Sequence, residues 1–414
     1  MKTTIFLILT IMISVSMLTG CKTKTTENRS DKMEKLGNGT YSFDKQFLEK
    51  YFNVVELKSG NASVAIVPDL QGRVMTSTCA GDKGFSFGWI NYNLIASGEK
   101  QEHFNPYGGE ERFWIGPEGG QFSVFFAKGK EFVYDNWYVP SQIDTEPFEL
   151  IRNDDTSAHF HKEMMLKNYS GTEFSIKINR DVILLSEKQV IRLLNIQEEN
   201  FSMVAYESLN TIKNQGQEAW KKETGLLSVW MLGMLIPSPE VTVIVPIKPG
   251  DINDLGPRVN DSYFGKISSD RLKITDSLIF FKADGKSRGK IGIPPLRATR
   301  FMGSYDAQNN VLTILECIQP ENATDYVNSQ WELQEKPYGG DAMNSYNDGP
   351  LEDGSQMGPF YELESSSPAL ALDPGQSYTH LQRTYHFEGE KEALDRIAKA
   401  VLHVSIDEIE TAFQ

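Results

Sequence analysis

Along this chain, short runs rich in Val, Ile, Phe and Thr alternate with clusters of turn-forming residues. Residues 53–58 and 61–67 flank a Ser59-Gly60 turn and read as a hairpin. The same kind of segment recurs at 73–79, 121–126, 174–178, 190–196, 226–231, 241–246, 278–283 and 311–317. Nowhere in that stretch does a three- and four-residue apolar period persist over the length an α/β protein needs. The pattern predicts a mostly β chain folded as a large antiparallel β-sandwich. Only the C-terminus reads as helical. Leu394, Ile397, Val401 and Leu402 share one face, and Ser405 with Glu408 forms a capping box for a last short helix. This short helical tail is expected to cover a sheet edge or the tether side, and carries no chemistry.

The first twenty residues follow a different pattern. Lys2 precedes an uncharged apolar run over 5–18, and Leu18-Thr19-Gly20-Cys21 follows directly, a step that resembles the bacterial lipobox. The resemblance implies cleavage before Cys21 and diacylation of its thiol. A single transmembrane anchor is the alternative, although the run is short of the ~20 residues of a stable span. Residues 1–20 are therefore read as a lipoprotein signal peptide and 21–39 as a flexible tether, lysine-rich and almost without large apolar side chains. From 40 to 414 no Pro/Gly/Ser-rich linker, charge block or repeat marks a second boundary. One domain is expected there, anchored through lipid to a membrane of the cell envelope.

Composition narrows the partners. With a formal net charge of -15 and no Lys/Arg cluster beyond the tether, the surface lacks the cationic footprint that phosphate binding demands, which excludes nucleic acid. Once Cys21 is assigned to lipid, Cys79 and Cys317 remain, either as one disulfide or as two buried free thiols; their spacing matches no zinc site. His159, His161 and Glu163 alternate along a predicted strand and so share one face. A metal there requires a fourth ligand from another strand, and a solvated strand face explains the row without one. No metal or cofactor is assigned.

Candidate chemistry concentrates in residues 105–120, Asn-Pro-Tyr-Gly-Gly-Glu-Glu-Arg-Phe-Trp-Ile-Gly-Pro-Glu-Gly-Gly. Aromatic faces, a planar guanidinium and carboxylates together suit a sugar, whose C–H faces stack on rings while its hydroxyls require paired donors and acceptors. The alternative is a half-buried connection between strands with Phe113 and Trp114 entering the core. A second stretch, 338–350, repeats the Tyr-Gly-Gly start and reads as a mobile surface loop; in the alternative, Asp341, Asn344 and Asp348 bind calcium or sugar hydroxyls. Trp331 and Glu332, just before it, are candidates for a site wall.

Residues 362–387 begin Glu-Leu-Glu-Ser-Ser-Ser-Pro, pass through the turn Leu372-Asp373-Pro374-Gly375 and end in a strand over 378–387 with Tyr378, Tyr385 and Phe387. This order resembles the closing strands of the aldose 1-epimerase (galactose mutarotase) superfamily. Asn105-Pro106-Tyr107, Gly108, Gly109 and Arg112 are similar in kind, though not in spacing, to that family's early sugar-binding turn. The resemblance implies a β-supersandwich with a sugar site on a concave sheet face. Mutarotation needs a base at the anomeric hydroxyl and an acid at the ring oxygen. Glu364 falls in the position of the family's base, and Glu362, two residues earlier on the same strand face, is a possible substitute. Arg112 is the implied sugar contact, with Trp114 as a stacking wall, Trp331 beside it and Glu111 as a second polar contact. The family's histidine, in an Asn-His-Ser/Thr-Tyr step, has no counterpart at 205–210, where only Tyr206 and Glu207 could act. His380, on the polar face of the final strand with Gln382 and His386, is the remaining acid candidate. No paired-carboxylate signal marks a glycoside hydrolase. The reading is a carbohydrate-recognising envelope lipoprotein that takes a mono- or oligosaccharide; the alternative is an active aldose epimerase with Glu364 as general base.

Overall fold

The computed structural model describes residues 39–198 and 200–414, so the signal peptide, Cys21 and the tether up to residue 38 lie outside the described residues. The strands are β1 (Val55–Ser59), β2 (Ala62–Val67), β3 (Arg73–Thr78), β4 (Arg112–Gly116), β5 (Glu149–Asn153), β6 (Ser157–Lys167), β7 (Glu173–Leu184), β8 (Phe201–Asn214), β9 (Ser228–Leu235), β10 (Val241–Pro246), β11 (Leu272–Ile274), β12 (Leu278–Lys282), β13 (Gly289–Ile293), β14 (Phe301–Asp306), β15 (Val311–Cys317), β16 (Met343–Asn347), β17 (Tyr361–Ser366) and β18 (Ser377–Gly389). All pair antiparallel, in a ten-stranded sheet of order β11-β12-β10-β14-β15-β18-β8-β7-β6-β5, a five-stranded sheet of order β13-β16-β17-β9-β4, and a three-stranded sheet β1-β2-β3. Val74 of β3 and Glu111 exchange both backbone hydrogen bonds, so the three-stranded sheet continues the five-stranded one at its β4 edge.

The two layers form a sandwich because each strand alternates. In β7, Phe174, Ile176, Ile178, Val182 and Leu184 point inward, and in the facing layer Phe113, Ile115, Val229, Met231 and Leu363 do the same. The interior is not wholly apolar. Arg180, Asn210, His380, Gln382 and Glu111 take inward positions and bond to one another or to neighbouring inward side chains. Helices Glu187–Leu194, Lys391–Val401 and Ile406–Glu410 pack against the far side of the ten-stranded sheet, on Ala205, Ile244, Tyr305, Tyr385 and Phe387. The C-terminal tail thus covers a sheet face, not an edge. Its fully buried Leu394 makes Leu394→Ala a loss of roughly 2–5 kcal/mol.

Three local expectations differ from the structure. Residues 190–194 belong to a helix that Asn195 ends, since Ser186 and Gln189 form a capping box and Val190 and Leu194 bury one turn apart, overriding the β-branched composition. Residues 121–126 are irregular, with Phe125 and Phe126 held in an aromatic cluster. The stretch 338–350 is no mobile loop: it contains β16, an interior strand of the five-stranded sheet.

Candidate functional site

Register places a set of side chains on the outward face of the five-stranded sheet. Arg112 lies opposite Leu232, Leu232 opposite Glu364, and Glu364 opposite Asn344. One row along, Trp114 pairs with Trp230 and Trp230 with Ser366; on the other side Glu362 pairs with Tyr346, and Tyr346 with Lys290. Paired residues, and residues two apart, project to the same side, so Arg112, Trp114, Trp230, Lys290, Glu362 and Glu364 converge on one surface. Gly108 and Gly109, at φ +96° and +111°, make the turn that delivers β4 to this edge. A Cβ on Gly109 would fall 2.6 Å from the Arg73 side chain, whose Nη1 bonds to the Gly108 carbonyl.

The geometry on that surface is specific. Arg112 Nη2 pairs with Glu362 Oε1 at 3.1 Å, while its guanidinium carbon sits 4.2 Å from the Trp114 ring centroid and 5.1 Å from that of Phe104. Glu364 Oε2 accepts from Trp230 Nε1 at 2.8 Å and from Lys290 Nζ at 2.9 Å. Lys290 Nζ lies over the Trp230 and Tyr263 rings, and Tyr263 donates to Asp341 at 2.6 Å. A small pocket opens here, lined by Trp230, Lys290, Tyr263, Asp341, Asn344, Ser228 and Ser329 among others. Burial and the adjacent Glu364 push the Glu362 carboxyl up, with Arg112 opposing. Burial disfavours the Lys290 ammonium, yet Glu364, Glu118 and Glu362 outweigh it and raise its pKa. Burial pushes Asp341 up to about 6 and Glu118 up to about 7; at Glu118, Lys290 opposes the rise and Glu364 adds to it.

Of the residues singled out from sequence, Arg112, Trp114, Glu362 and Glu364 come together on this surface. Trp331 stacks on Trp137 at 5.7 Å between ring centroids. Glu111 and His380 do not join them. Each sits on the inner face, where Glu111 accepts from Arg180 at 2.7 Å and Gln382 at 2.8 Å, and His380 Nε2 lies 2.8 Å from Ser365 Oγ. Because Ser365 follows Glu364 on one strand, the sheet separates His380 from the Glu364 carboxylate. Burial also holds His380 neutral, its pKa pushed down to about 4. Tyr206 is buried beside Glu110, and Glu207 pairs with Arg383 on the ten-stranded sheet. His159 and His161 engage Asp181 and Asn179 through Nδ1. Cys79 and Cys317 are separate buried thiols. Sequence reasoning missed Trp230 and Lys290, each one side chain inside an apolar strand, and passed over Glu118, visible only as one carboxylate among three in residues 105–120.

The fold is galactose mutarotase-like, mostly β with short C-terminal helices. A candidate aldose 1-epimerase of Escherichia coli K12 has the same fold: the match covers 82% of this chain and 100% of that one, at a TM-score of 0.50 and 11% identity. A galactose mutarotase-like protein from Lactobacillus casei matches over 81% of this chain and 100% of its own, with a TM-score of 0.48 and 8% identity. A galactose mutarotase related enzyme from Lactobacillus acidophilus covers 81% and 98%, at 0.44 and 8%. The chain itself belongs to the family of unknown function DUF6786, whose model matches residues 39–413. No curated protein matches the sequence.

Proposed function

We propose that the outward face of the five-stranded sheet binds a mono- or oligosaccharide, and that lipid on Cys21 presents this site from the cell envelope. The observation that carries the reading is a group of buried polar atoms with no partner in the protein, set among aromatic rings: Nε and Nη1 of Arg112, Oε1 of Glu364, Nε1 of Trp114 and Oγ of Ser228. Each such atom costs about 1–3 kcal/mol when unpaired, so a ligand that offers donors and acceptors together gains that energy on binding. Sugar hydroxyls do both, and the sugar's C–H faces match Trp114, Trp230 and Trp331. The galactose mutarotase-like fold supports the same reading.

A second reading, an aldose epimerase with Glu364 as general base, draws on one specific feature: Oε2 of Glu364 is held by Trp230 and Lys290 while Oε1 is left without a partner. Saturation-transfer NMR on the full chain with a panel of mono- and oligosaccharides tests the binding reading. Transfer to at least one sugar is expected, and its loss in an Arg112→Ala variant that still unfolds cooperatively in urea; silence across the panel at millimolar sugar overturns the reading. Lipidation is tested by labelling cells with an alkynyl fatty acid, which Cys21→Ser should abolish.

A further inference from the structure

Resting on the saccharide reading above, we propose that the ligand is an oligosaccharide, and that a row of aromatic rings running outward from Arg112 and Trp114 is a second subsite, where Trp331, Tyr134 and Tyr138 stack the sugar units beyond the first. The row begins at the surface already described. Phe104, one of the two rings beside the Arg112 guanidinium, lies 5.3 Å from Trp114 and 6.0 Å from Trp137 between centroids. Trp137 then meets Trp331 at 5.7 Å and Tyr134 at 6.0 Å, each with planes 30° apart. His103 continues the row, 4.7 Å from Tyr134 and 4.6 Å from Tyr138. Among the described residues no ring contact joins Trp331 to Tyr134 or to Tyr138, so the rings follow one another instead of gathering round one point.

The outer end of the row is open to solvent. Tyr134 is 58% exposed and Tyr138 41%, and Val133 beside them is exposed as well, which puts three large apolar side chains on the surface within residues 133–138. A single exposed apolar residue is ordinary, but a contiguous group marks a place where something binds. The backbone holds this group in position. The Tyr138 N–H donates to the Phe125 carbonyl at 3.0 Å, the Val139 N–H to the His103 carbonyl at 2.9 Å, and His103 Nδ1–H to the Trp137 carbonyl at 2.7 Å. Rings fixed in advance lose little freedom when a ligand arrives. Trp137 Nε1, like Trp114 Nε1, is a buried donor with no acceptor in the protein, a need that a sugar hydroxyl meets.

Sugar is the occupant these observations favour. Exposed Glu102, Glu131, Asp135 and Glu332 stand on the same segments as the rings. Ring faces take the C–H faces of a pyranose while carboxylates accept from its hydroxyls. An acyl chain or an apolar protein surface would desolvate those carboxylates and offer them no donors. Length follows from the order of the rings. A monosaccharide held at Arg112 is separated from Tyr138 by Phe104, Trp137, Tyr134 and His103, so only a longer chain engages both ends.

The test titrates the full chain by calorimetry with the malto-, cello-, manno- and galacto-oligosaccharide series, each from the monosaccharide to the hexasaccharide. In at least one series the wild-type affinity should rise with length, by about tenfold or more between its ends, as expected for two or three added ring contacts. The double variant Tyr134→Ala/Tyr138→Ala, altered only at exposed side chains, should lose most of that ratio of long-chain to short-chain affinity. The double variant with phenylalanine at both positions should keep it, because the ring faces remain. A series that binds with no gain in affinity with length overturns this proposal and leaves the saccharide reading standing. So does a gain with length that survives Tyr134→Ala/Tyr138→Ala, which would assign the exposed rings to another partner. If no sugar of any length binds, both fall.

Discussion

Replacing Glu110 by glutamine should remove a large part of the protein's loss of stability in mild alkali. The Glu110 carboxyl is 2% exposed; it faces Ser77 and Tyr206, with His386 Nε2 3.7 Å from Oε2, and neither oxygen achieves good hydrogen-bond geometry. Burial pushes its pKa from 4.5 up to about 8, the Ser77 and Tyr206 hydroxyls offsetting part of the rise and Glu111 adding to it. For an acid raised on folding, the native state keeps a proton that the unfolded chain has lost between those two values. Stability therefore falls as pH rises through that window, by about 1.4 kcal/mol per pH unit until the native group itself ionises. Between pH 6.5 and 8 the loss from Glu110 is roughly 1.5 kcal/mol. Glutamine copies the protonated carboxyl in shape and cannot ionise, so Glu110→Gln should lose that much less. His380 and His386, held neutral by burial at about 4 and about 3, destabilise the fold below pH 6.5 in both proteins and cancel in the comparison. Glu118 cancels likewise. Equilibrium urea unfolding at pH 6.5 and 8 measures the difference. Parallel pH profiles for the two proteins would refute the assignment of a buried, protonated Glu110.

Lys290→Met leaves the fully buried Glu364 with Trp230 as its sole protein donor, so a loss of about 3–5 kcal/mol is expected in urea unfolding. Adding Glu364→Leu should restore most of it; an equal or larger loss in the double variant would contradict the ion-pair reading. The thiols offer a separate check. Burial pushes Cys317 up to about 12, and burial with Glu388 raises Cys79 beyond that, so neither forms thiolate at neutral pH. Ellman's reagent should find neither of them in the native protein and both after denaturation, and rapid native labelling of either would show that it is exposed.

Strands buried on both faces were the most legible part of the fold. Segments 241–246 and 311–317 are β10 and β15 residue for residue, because short runs dominated by β-branched and apolar residues between turn formers leave few other solutions. The Ser405–Glu408 capping box formed as read, since it depends only on residues three apart. β16 was hidden by its own chemistry. Ser345 bonds to the Glu362 carbonyl and Asn347 to the Ser287 carbonyl, so an interior strand carries the composition of a loop. The site shows the same division. Arg112 with Trp114, and Glu362 with Glu364, were readable because alternation within one strand puts them together. Which way each strand turns its two faces is a long-range property of sheet packing. That is why Glu111 and His380, plausible by type, ended inside the sandwich.

The site and the fold select each other through register. On β17, Glu362 and Glu364 lie on the outward sheet face with Arg112 and Lys290, while Leu363 and Ser365 face the core. A slip of one residue against β9 would drive both carboxylates inward and turn Leu363 toward Arg112 and Lys290. An ion buried without its partner costs several kcal/mol, so Arg112 and Lys290 penalise the wrong register. From the other side, Ser365 reinforces it, bonding to Gln382 and contacting His380 across the interior. It follows that the charges of this surface cannot be deleted singly without cost to the fold. A variant that removes Glu364 alone confounds lost binding with an orphaned Lys290.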